Sequence, residues 1–171
     1  FRLINFTSNT AKDKIFGKVN FKSVNYIDVS AKDAEKECER YSKLLKKYPA
    51  DIICLGIGEN GHIAFNDPPV ADFNDKKLVK VVELDEKCRQ QQVNDGCFKT
   101  LDDVPKYALT LTIPALIAGK YLFCIVPGST KTEAVTNTIN GEISEACPAS
   151  ILRTHKNAIL YVDKDSGKDI L

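Results

Sequence analysis

One of the two histidines of this chain lies in a stretch that could carry out acid–base chemistry. The stretch is "CLGIGENGHIAFNDPP", residues 54–69, in which His62 precedes Asp67 by five positions. A neighbouring carboxylate orients an imidazole and favours its protonated form, which suits proton transfer near neutral pH. In another interpretation, His62 caps a turn and Asp67 only begins an Asp-Pro turn. A position just after a predicted strand adds weight to the chemical role, because α/β sheets bind ligands beyond their strand ends, and leaves both interpretations open.

The same stretch has the G-x-G-x-x-G spacing of dinucleotide-binding loops. Its three glycines are Gly56, Gly58 and Gly61. Glu83 stands at roughly the distance expected of an acid that binds the ribose. However, Pro68 and Pro69 would interrupt the long helix that must follow such a loop, and Glu59 would bring negative charge to the pyrophosphate. We therefore expect the glycines to let the backbone approach a different ligand closely.

A second loop, "PGSTK" at residues 127–131, has the features of an anion site. We expect Ser129 to be the N-cap of a helix whose first N–H groups point outward. Lys131 adds a positive charge in the first turn. The alternative is a solvated lysine, since a cation at a helix N-terminus is mildly unfavourable. A bound dianion would offset that cost.

The elements that must position these loops alternate between strand and helix. From Ser30 to Pro49 the apolar residues recur at helical spacing, and Ser30 followed by Asp33 indicates the helix start. Apolar runs predict strands in residues 51–58, 78–84, 107–113, 120–128 and 158–163. Helices are predicted in residues 85–98, 115–119, 129–140 and 148–155. The run at 51–58 is continuous enough to predict burial on both faces. No element is assigned to residues 1–25.

This pattern predicts a single α/β domain with a mostly parallel, Rossmann-like sheet flanked by helices. The 171 residues are 43% hydrophobic and 27% charged, with a net charge of +1. That composition argues against a nucleic-acid binder, and no apolar run is long enough to span a membrane. Six cysteines without C-x-x-C spacing argue against zinc and indicate a reducing cytoplasm. Cys54 and Cys124 are expected to be buried thiols.

The motif "LGIGENGHIAFNDP" resembles the signature of glucosamine-6-phosphate deaminases (isomerases), a family related to the 6-phosphogluconolactonases. The similarity continues through "VPKYALTLTIPALIAGKYLFCIVPGSTKTEAV" and "PASILRTHKNAILYVD" and covers most of the chain from about Ala34. The lactonases share the G-x-G-x-D-G-H part but not the A-F-N-acid-P ending. The ending therefore favours the deaminases.

The resemblance implies roles for particular residues. His62 would open the sugar ring by moving a proton between the ring oxygen and the C1 hydroxyl, with Asp67 as its supporting acid. Asn60 would orient groups through hydrogen bonds. Lys131 would bind the phosphate. The substrate and phosphate site would also include Ser129, Gly61 and Arg89.

Arg89 matches the family's phosphate arginine only with a shift in register, because an ungapped alignment places Gln92 there. His155 has no acid nearby in sequence and is expected to be structural. The implied reaction converts glucosamine 6-phosphate to fructose 6-phosphate and ammonia without a metal or cofactor. The implied partner is a small sugar phosphate, and a homo-oligomer is left open.

Two features depart from the family. Its enolisation aspartate and first phosphate loop belong to an N-terminal segment that does not match anything in these residues. The chain has no methionine and opens with "FRLINFTSN", so we expect a C-terminal fragment that lacks N-terminal strands. The alternatives to a deaminase are a 6-phosphogluconolactonase-type hydrolase and an inactive sugar-phosphate-binding protein.

Overall fold

A computed structural model describes residues 3–4 and 16–171 of the chain. The α-helices are α1 (Ala34–Lys47), α2 (Glu86–Asn94), α3 (Ile113–Ile117) and α4 (Thr132–Asn140). The strands are β1 (Leu3–Ile4), β2 (Ile52–Leu55), β3 (Val79–Glu83), β4 (Tyr107–Leu111), β5 (Tyr121–Val126) and β6 (Ala158–Val162). Short 3-10 helices occupy Leu101–Asp103, Ser129–Lys131 and Pro148–Thr154. Each strand and helix predicted after residue 30 is therefore present, with the last helix in 3-10 form.

The strands form two three-stranded sheets. One sheet has the order β2-β5-β6 and is parallel throughout. The other has the order β1-β4-β3, in which β1 and β4 are parallel and β3 and β4 are antiparallel. The predicted α/β class with a parallel sheet flanked by helices is confirmed. The antiparallel pair is an addition, because an apolar run does not reveal the direction of a strand.

The main core lies on one side of the parallel sheet. Alternate residues of β5 point into it, and Leu122, Cys124 and Val126 are at most 1% exposed. The helix α4 and the 3-10 helix Pro148–Thr154 cover this side. Burial raises the pKa of the Cys124 thiol to about 12, which confirms the expected buried thiol.

Strand β2 is not buried on both faces, contrary to the prediction. Ile53 and Leu55 pack against the main core, whereas Ile52 and Cys54 are exposed. The expected burial of Cys54 is therefore wrong as well. An unbroken apolar run shows only that both faces of the strand are apolar, not that both are covered. Within the described residues, only the face of β2 with Ile53 and Leu55 is covered.

Helix α1 begins three residues later than predicted. Its N-cap is Asp33, whose side chain accepts a hydrogen bond of 3.1 Å from the Lys36 N–H. The Ser30 hydroxyl instead donates to Asp28 at 2.6 Å. Serine and aspartate are both good N-cap residues. The Ser30 hydroxyl is bound to Asp28, and Asp33 caps the helix instead. The helix ends at Lys47, before Pro49.

Strands β2 and β5 are neighbours in the parallel sheet, with Leu55 paired to Cys124. Because neighbouring parallel strands end at the same edge of a sheet, the loops after β2 and after β5 emerge side by side. This adjacency brings the two loops singled out in the sequence to one edge. Among the described residues, none of the helices has the length and apolar character needed to cross a bilayer.

Candidate active site

The loop after β2 is a compact turn that depends on two of its glycines. The Gly58 N–H donates to the His62 carbonyl at 2.9 Å, and the Gly61 N–H donates to the Gly58 carbonyl at 2.9 Å. Gly61 has φ of +83°, in the left-handed region that favours glycine. At Gly58 a Cβ would overlap the imidazole ring of His62. The loop thus places the ring flat against the backbone.

His62 is held through one of its two ring nitrogens. Its Nδ1 lies 2.9 Å from Oδ1 of Asp67 and 2.7 Å from Oδ1 of Asn60. Both neighbours are hydrogen-bond acceptors, so Nδ1 carries a proton in the neutral as well as the charged ring. Within residues 16–171, no group hydrogen-bonds to Nε2. The neutral ring therefore presents a lone pair at Nε2, as a general base requires.

Asp67 is the most enclosed member of the group, with 0% exposure. It also accepts hydrogen bonds from Nδ2 of Asn60 at 3.1 Å and from the Asp85 N–H at 3.2 Å. Burial by itself would raise the pKa of Asp67, but hydrogen bonds from His62, Asn60 and the Asp85 N–H outweigh burial and lower it. Asp67 is therefore an ionised partner for the imidazole.

A tight turn brings Asp67 back to His62. Ile63 and Asn66 form an isolated antiparallel bridge, and Ala64 between them has φ of +51°. The Asn66 side-chain amide donates to the Ile63 carbonyl at 2.9 Å and to the Leu111 carbonyl at 2.9 Å. The hydrogen bond to Leu111 fixes the turn to the end of β4. The turn brings Asp67 within hydrogen-bonding distance of His62, although five positions separate them in sequence.

Lys131 emerges from the neighbouring loop and is partly buried. Burial lowers its pKa, although the charges of Glu59 and Asp95 and the thiol of Cys88 act in the opposite direction. Lys131 in turn lowers the pKa of Cys88. Lys131 is therefore close enough to α2 and to the glycine loop for their charges to act on it. A partly dehydrated ammonium group is suited to binding an anion.

Ser129 is not the N-cap that the sequence predicted. It is the first residue of the 3-10 helix Ser129–Lys131, whose N-cap is Gly128, and it is exposed. The chain turns instead at Gly128, which has φ of +97° and whose N–H donates to Asp163 at 2.9 Å. Glycine permits that left-handed turn, so the cap is displaced by one residue. The assignment of Ser129 to a phosphate site stays a prediction.

Arg89 uses its guanidinium to hold a neighbouring loop. Its Nη2 donates to the carbonyls of Leu101 at 2.7 Å and Val104 at 3.1 Å. Its Nε is buried, and the described residues give it no hydrogen-bond partner. Gln92, the residue in the ungapped register, is 4% exposed. A phosphate-binding role for Arg89 stays a prediction, and its present contacts are structural.

Gly61 is enclosed by Cys147 and the first turn of the 3-10 helix Pro148–Thr154. Its carbonyl accepts a hydrogen bond from the Ala149 N–H at 2.9 Å, and a Cβ on Gly61 would lie 2.8 Å from the Cys147 sulfur. These contacts explain why a small residue is needed there. The predicted contact of Gly61 with a substrate is a separate matter and stays a prediction.

His155 lies in a different part of the fold, at the base of β5. Its Nε2 is 2.8 Å from the Gly119 carbonyl, and its Nδ1 accepts from the Asn157 N–H at 3.2 Å. Both ring nitrogens are thus occupied by backbone groups. These contacts agree with a structural role.

Sequence reasoning missed several residues that surround the acid–base pair. Gln91 accepts a hydrogen bond from the Glu59 N–H at 3.0 Å, and so fixes the glycine loop to α2. Cys88 is 1% exposed on the same helix, and burial together with Asp67 raises its pKa. The spacing of Cys88 and Gln91 puts both on one face of α2. The pairing of these two residues on one helix face was the signal in the sequence that could have located them.

The same cluster brings together three side chains with metal-donor atoms. One atom each from His62, Asp67 and Cys88 lie within 4.8 Å of one another, and all three side chains are buried. A nitrogen, an oxygen and a sulfur form a donor set that zinc accepts. Nδ1 of His62 already bonds to Asp67, so a metal bound at that nitrogen would have to replace that hydrogen bond.

Comparison with known proteins identifies the family. The profile of the glucosamine-6-phosphate isomerases/6-phosphogluconolactonase family matches residues 5–161. A glucosamine-6-phosphate deaminase of Bacillus cytotoxicus is 38% identical over 155 residues, which are 91% of this chain and 57% of that protein. A glucosamine-6-phosphate deaminase of Bacillus cereus gives the same 38% identity and the same coverage. The chain thus spans 57% of the length of the curated relatives it matches.

Solved structures agree with this result. A monomeric glucosamine-6-phosphate deaminase is 37% identical with a TM-score of 0.77, over 83% of this chain and 57% of that one. The 6-phosphogluconolactonase from Trypanosoma brucei has a TM-score of 0.73 over 99% of this chain and 72% of that one, but at 19% identity it supports the fold alone. On the strength of the profile match, the chain belongs to the glucosamine-6-phosphate isomerase/6-phosphogluconolactonase family.

Proposed function

We propose that the whole protein converts glucosamine 6-phosphate and water to fructose 6-phosphate and ammonia in the cytoplasm. The observation that carries the proposal is the distance of 2.9 Å between Nδ1 of His62 and Oδ1 of the buried Asp67. This pair leaves Nε2 as the proton-transferring atom. The 38% identity to curated deaminases supports the same substrate.

The first step assigned to this pair is opening of the sugar ring. Nε2 of His62 takes a proton from the C1 hydroxyl and delivers one to the ring oxygen, so the ring C–O bond breaks while the aldehyde forms. The imidazolium that exists between the two transfers is stabilised by the ionised Asp67. Asn60 holds both partners in place, because it bonds to the His62 N–H at 3.1 Å and to Asp67 at 3.1 Å.

Lys131 is assigned to the phosphate of the substrate. A phosphate dianion beside a partly buried ammonium forms charge-assisted hydrogen bonds, which are the stronger class. Binding would also offset the cost of partly burying the Lys131 ammonium, which forms no ion pair within residues 16–171. Ser129 and Gly61 are assigned to the same site through hydroxyl and backbone groups.

The test is an ammonia-release assay on the whole protein with glucosamine 6-phosphate. We expect turnover without added metal, and a His62→Gln variant should lose about 10²–10⁴-fold in kcat. Glutamine keeps a polar side chain of similar size but cannot exchange a proton. Unchanged turnover in this variant would remove His62 from the mechanism.

Two other outcomes would refute the deaminase assignment. Hydrolysis of 6-phosphogluconolactone without ammonia release would make the protein a lactonase. Binding of glucosamine 6-phosphate by calorimetry with no turnover would make it a sugar-phosphate-binding protein.

A further inference from the structure

The turn that follows β6 is hydrogen-bonded to the segment that carries Lys131. This turn comprises residues 163–167, with the sequence "DKDSG". Its first residue, Asp163, accepts the Gly128 N–H at Oδ2 over a distance of 2.9 Å. Gly128 immediately precedes the 3-10 helix Ser129–Lys131 and is its N-cap. The start of the lysine segment is therefore tied to a carboxylate at the end of the neighbouring strand.

The other end of the same segment is attached to the turn as well. The Thr132 hydroxyl lies 2.9 Å from the Asp165 carbonyl oxygen and 2.8 Å from the Ser129 carbonyl oxygen. Thr132 is 8% exposed, so water has little access to these contacts. The turn thus holds the backbone on both sides of Lys131.

Asp163 is itself fixed by the backbone of the turn. Its Oδ1 accepts the Ser166 N–H at 2.8 Å and the Asp165 N–H at 3.1 Å. In return, the hydroxyl of the buried Ser166 accepts the Asp163 N–H at 3.2 Å. Backbone hydrogen bonds, that of Ser166 first, hold the pKa of the Asp163 carboxyl below its ordinary value. Asp163 is therefore ionised near neutral pH, and both of its oxygens have assigned partners.

Electrostatics alone gives no reason for a carboxylate at this position. The loop beside it is assigned to a phosphate dianion, and a negative charge nearby repels an anion. The carboxylate also occupies the Gly128 N–H, which is then not available to the phosphate. What Asp163 supplies is position, because its hydrogen bond holds the left-handed turn at Gly128, where φ is +97°.

We propose that Asp163 is a positioning residue that places Lys131 for the phosphate of the substrate, with the Thr132 hydroxyl as the second attachment. The inference rests on the phosphate-binding role assigned to Lys131 under the proposed function. A long side chain loses conformational entropy when it binds a ligand. A backbone that is already fixed lowers the remaining cost of binding.

The substitution Asp163→Asn in the whole protein separates charge from position by the sign of its effect. Asparagine has the size of aspartate, but its amide nitrogen cannot accept an N–H. If charge alone mattered, losing it would tighten phosphate binding and lower KM. Positioning predicts the opposite: KM for glucosamine 6-phosphate rises about tenfold, while kcat changes less than about threefold. Thr132→Val removes the second attachment at nearly constant shape and should raise KM in the same way, which keeps the test available if Asp163→Asn does not fold.

A double-mutant cycle shows which group Asp163 acts through. In a Lys131→Gln background the positioned ammonium is gone, so Asp163→Asn should raise KM by less than about twofold further. The charge control is Asp169→Asn. Asp169 is exposed and lines a groove with Ser129 and Thr132, and within residues 16–171 its side chain makes no hydrogen bond or ion pair. This variant should keep KM within about twofold of the parent value.

Titration with inorganic phosphate, followed by phosphorus NMR, measures the same contact without turnover. Kd should rise about tenfold in Asp163→Asn and stay unchanged in Asp169→Asn. That pattern in a protein that releases no ammonia would refute the deaminase assignment and leave the positioning role intact. Lower or unchanged KM and Kd in Asp163→Asn would overturn the proposal. So would a loss of kcat alone, or an equal rise in KM with and without Lys131.

Discussion

The substitution Gly58→Ala isolates the contact that positions the His62 ring. A Cβ at residue 58 would overlap Cε1, Nδ1 and Nε2 of the imidazole. Gly58 is not among the glycines with positive φ, which are Gly61, Gly96 and Gly128 within the described residues. Alanine therefore suits the backbone at this position. Any cost of the substitution has to come from the ring.

The size of that cost follows from what the ring would lose. To clear the new methyl group, the imidazole has to move by about 1 Å or more, which breaks its hydrogen bond to Asp67. A hydrogen bond to a charged group contributes about 1.5–3 kcal/mol, and a strained rotamer adds about 0.5–1.5 kcal/mol. We expect Gly58→Ala to lower the free energy of unfolding by about 2–4 kcal/mol.

A double-mutant cycle separates the ring from the backbone. Urea unfolding of the whole protein is measured for Gly58→Ala, for His62→Ala and for the two together. In the His62→Ala background the new methyl group has no ring to displace, so Gly58→Ala should cost less than about 0.5 kcal/mol. An equal cost in both backgrounds would show that the ring contact does not set the conformation of the loop.

Activity gives a second measure of the same displacement. Misplacing a reacting group by about 1 Å costs about 100-fold in rate, and we expect that loss of kcat in Gly58→Ala. The control is Gly56→Ala in the same loop, where the nearest atom to a new Cβ is the Ile125 carbonyl oxygen at 3.3 Å. This variant should retain activity within a few-fold. Equal losses in both variants would contradict the assignment.

Other substitutions test the remaining parts of the site. Asp67→Asn should lower the free energy of unfolding at pH 7 by about 1–3 kcal/mol. Because the folded pKa of Asp67 is lowered, its contribution is fully present above the unfolded pKa of about 4 and is lost as pH falls through the folded pKa, so the urea midpoints of the two proteins should converge on acidification. Lys131→Gln should raise KM for the sugar phosphate about 10–100-fold with less effect on kcat, and a change in kcat alone would count against phosphate binding. Ala64→Gly should raise stability by up to about 1 kcal/mol because it relieves a left-handed φ, and Ala64→Val should lower it, as thermal unfolding would show.

The sequence predicted the elements well because their signals are local. Apolar runs located β2 to β6, and helical spacing located α1. Relations between distant segments carry no such signal. Strand β3 runs antiparallel to β4, and one face of β2 is exposed, because of how distant segments pack together. An apolar run looks the same in sequence whether its strand is parallel or antiparallel, and whether one or both of its faces are covered.

The site shows the same division between local and distant information. His62 and Asp67 are five residues apart, and a motif can link them. The N–H of Asp85 and the thiol of Cys88 reach the pair because α2 packs against the glycine loop, to which Gln91 bonds at Glu59. Sequence analysis placed a phosphate ligand on this helix at Arg89. It did not foresee that the helix would support the acid–base pair.

The choice of asparagine at residue 60 follows from the charges that surround it. Asn60 accepts from the His62 backbone N–H through Oδ1 and donates through Nδ2 to Asp67 and, at 3.4 Å, to Asp85. An aspartate there would accept from His62 equally well but could not donate to either carboxylate. Three carboxylates would then meet beside the buried Asp67, where like charges raise one another's pKa. The amide therefore keeps Asp67 ionised, and with it the proton on Nδ1 and the free lone pair on Nε2.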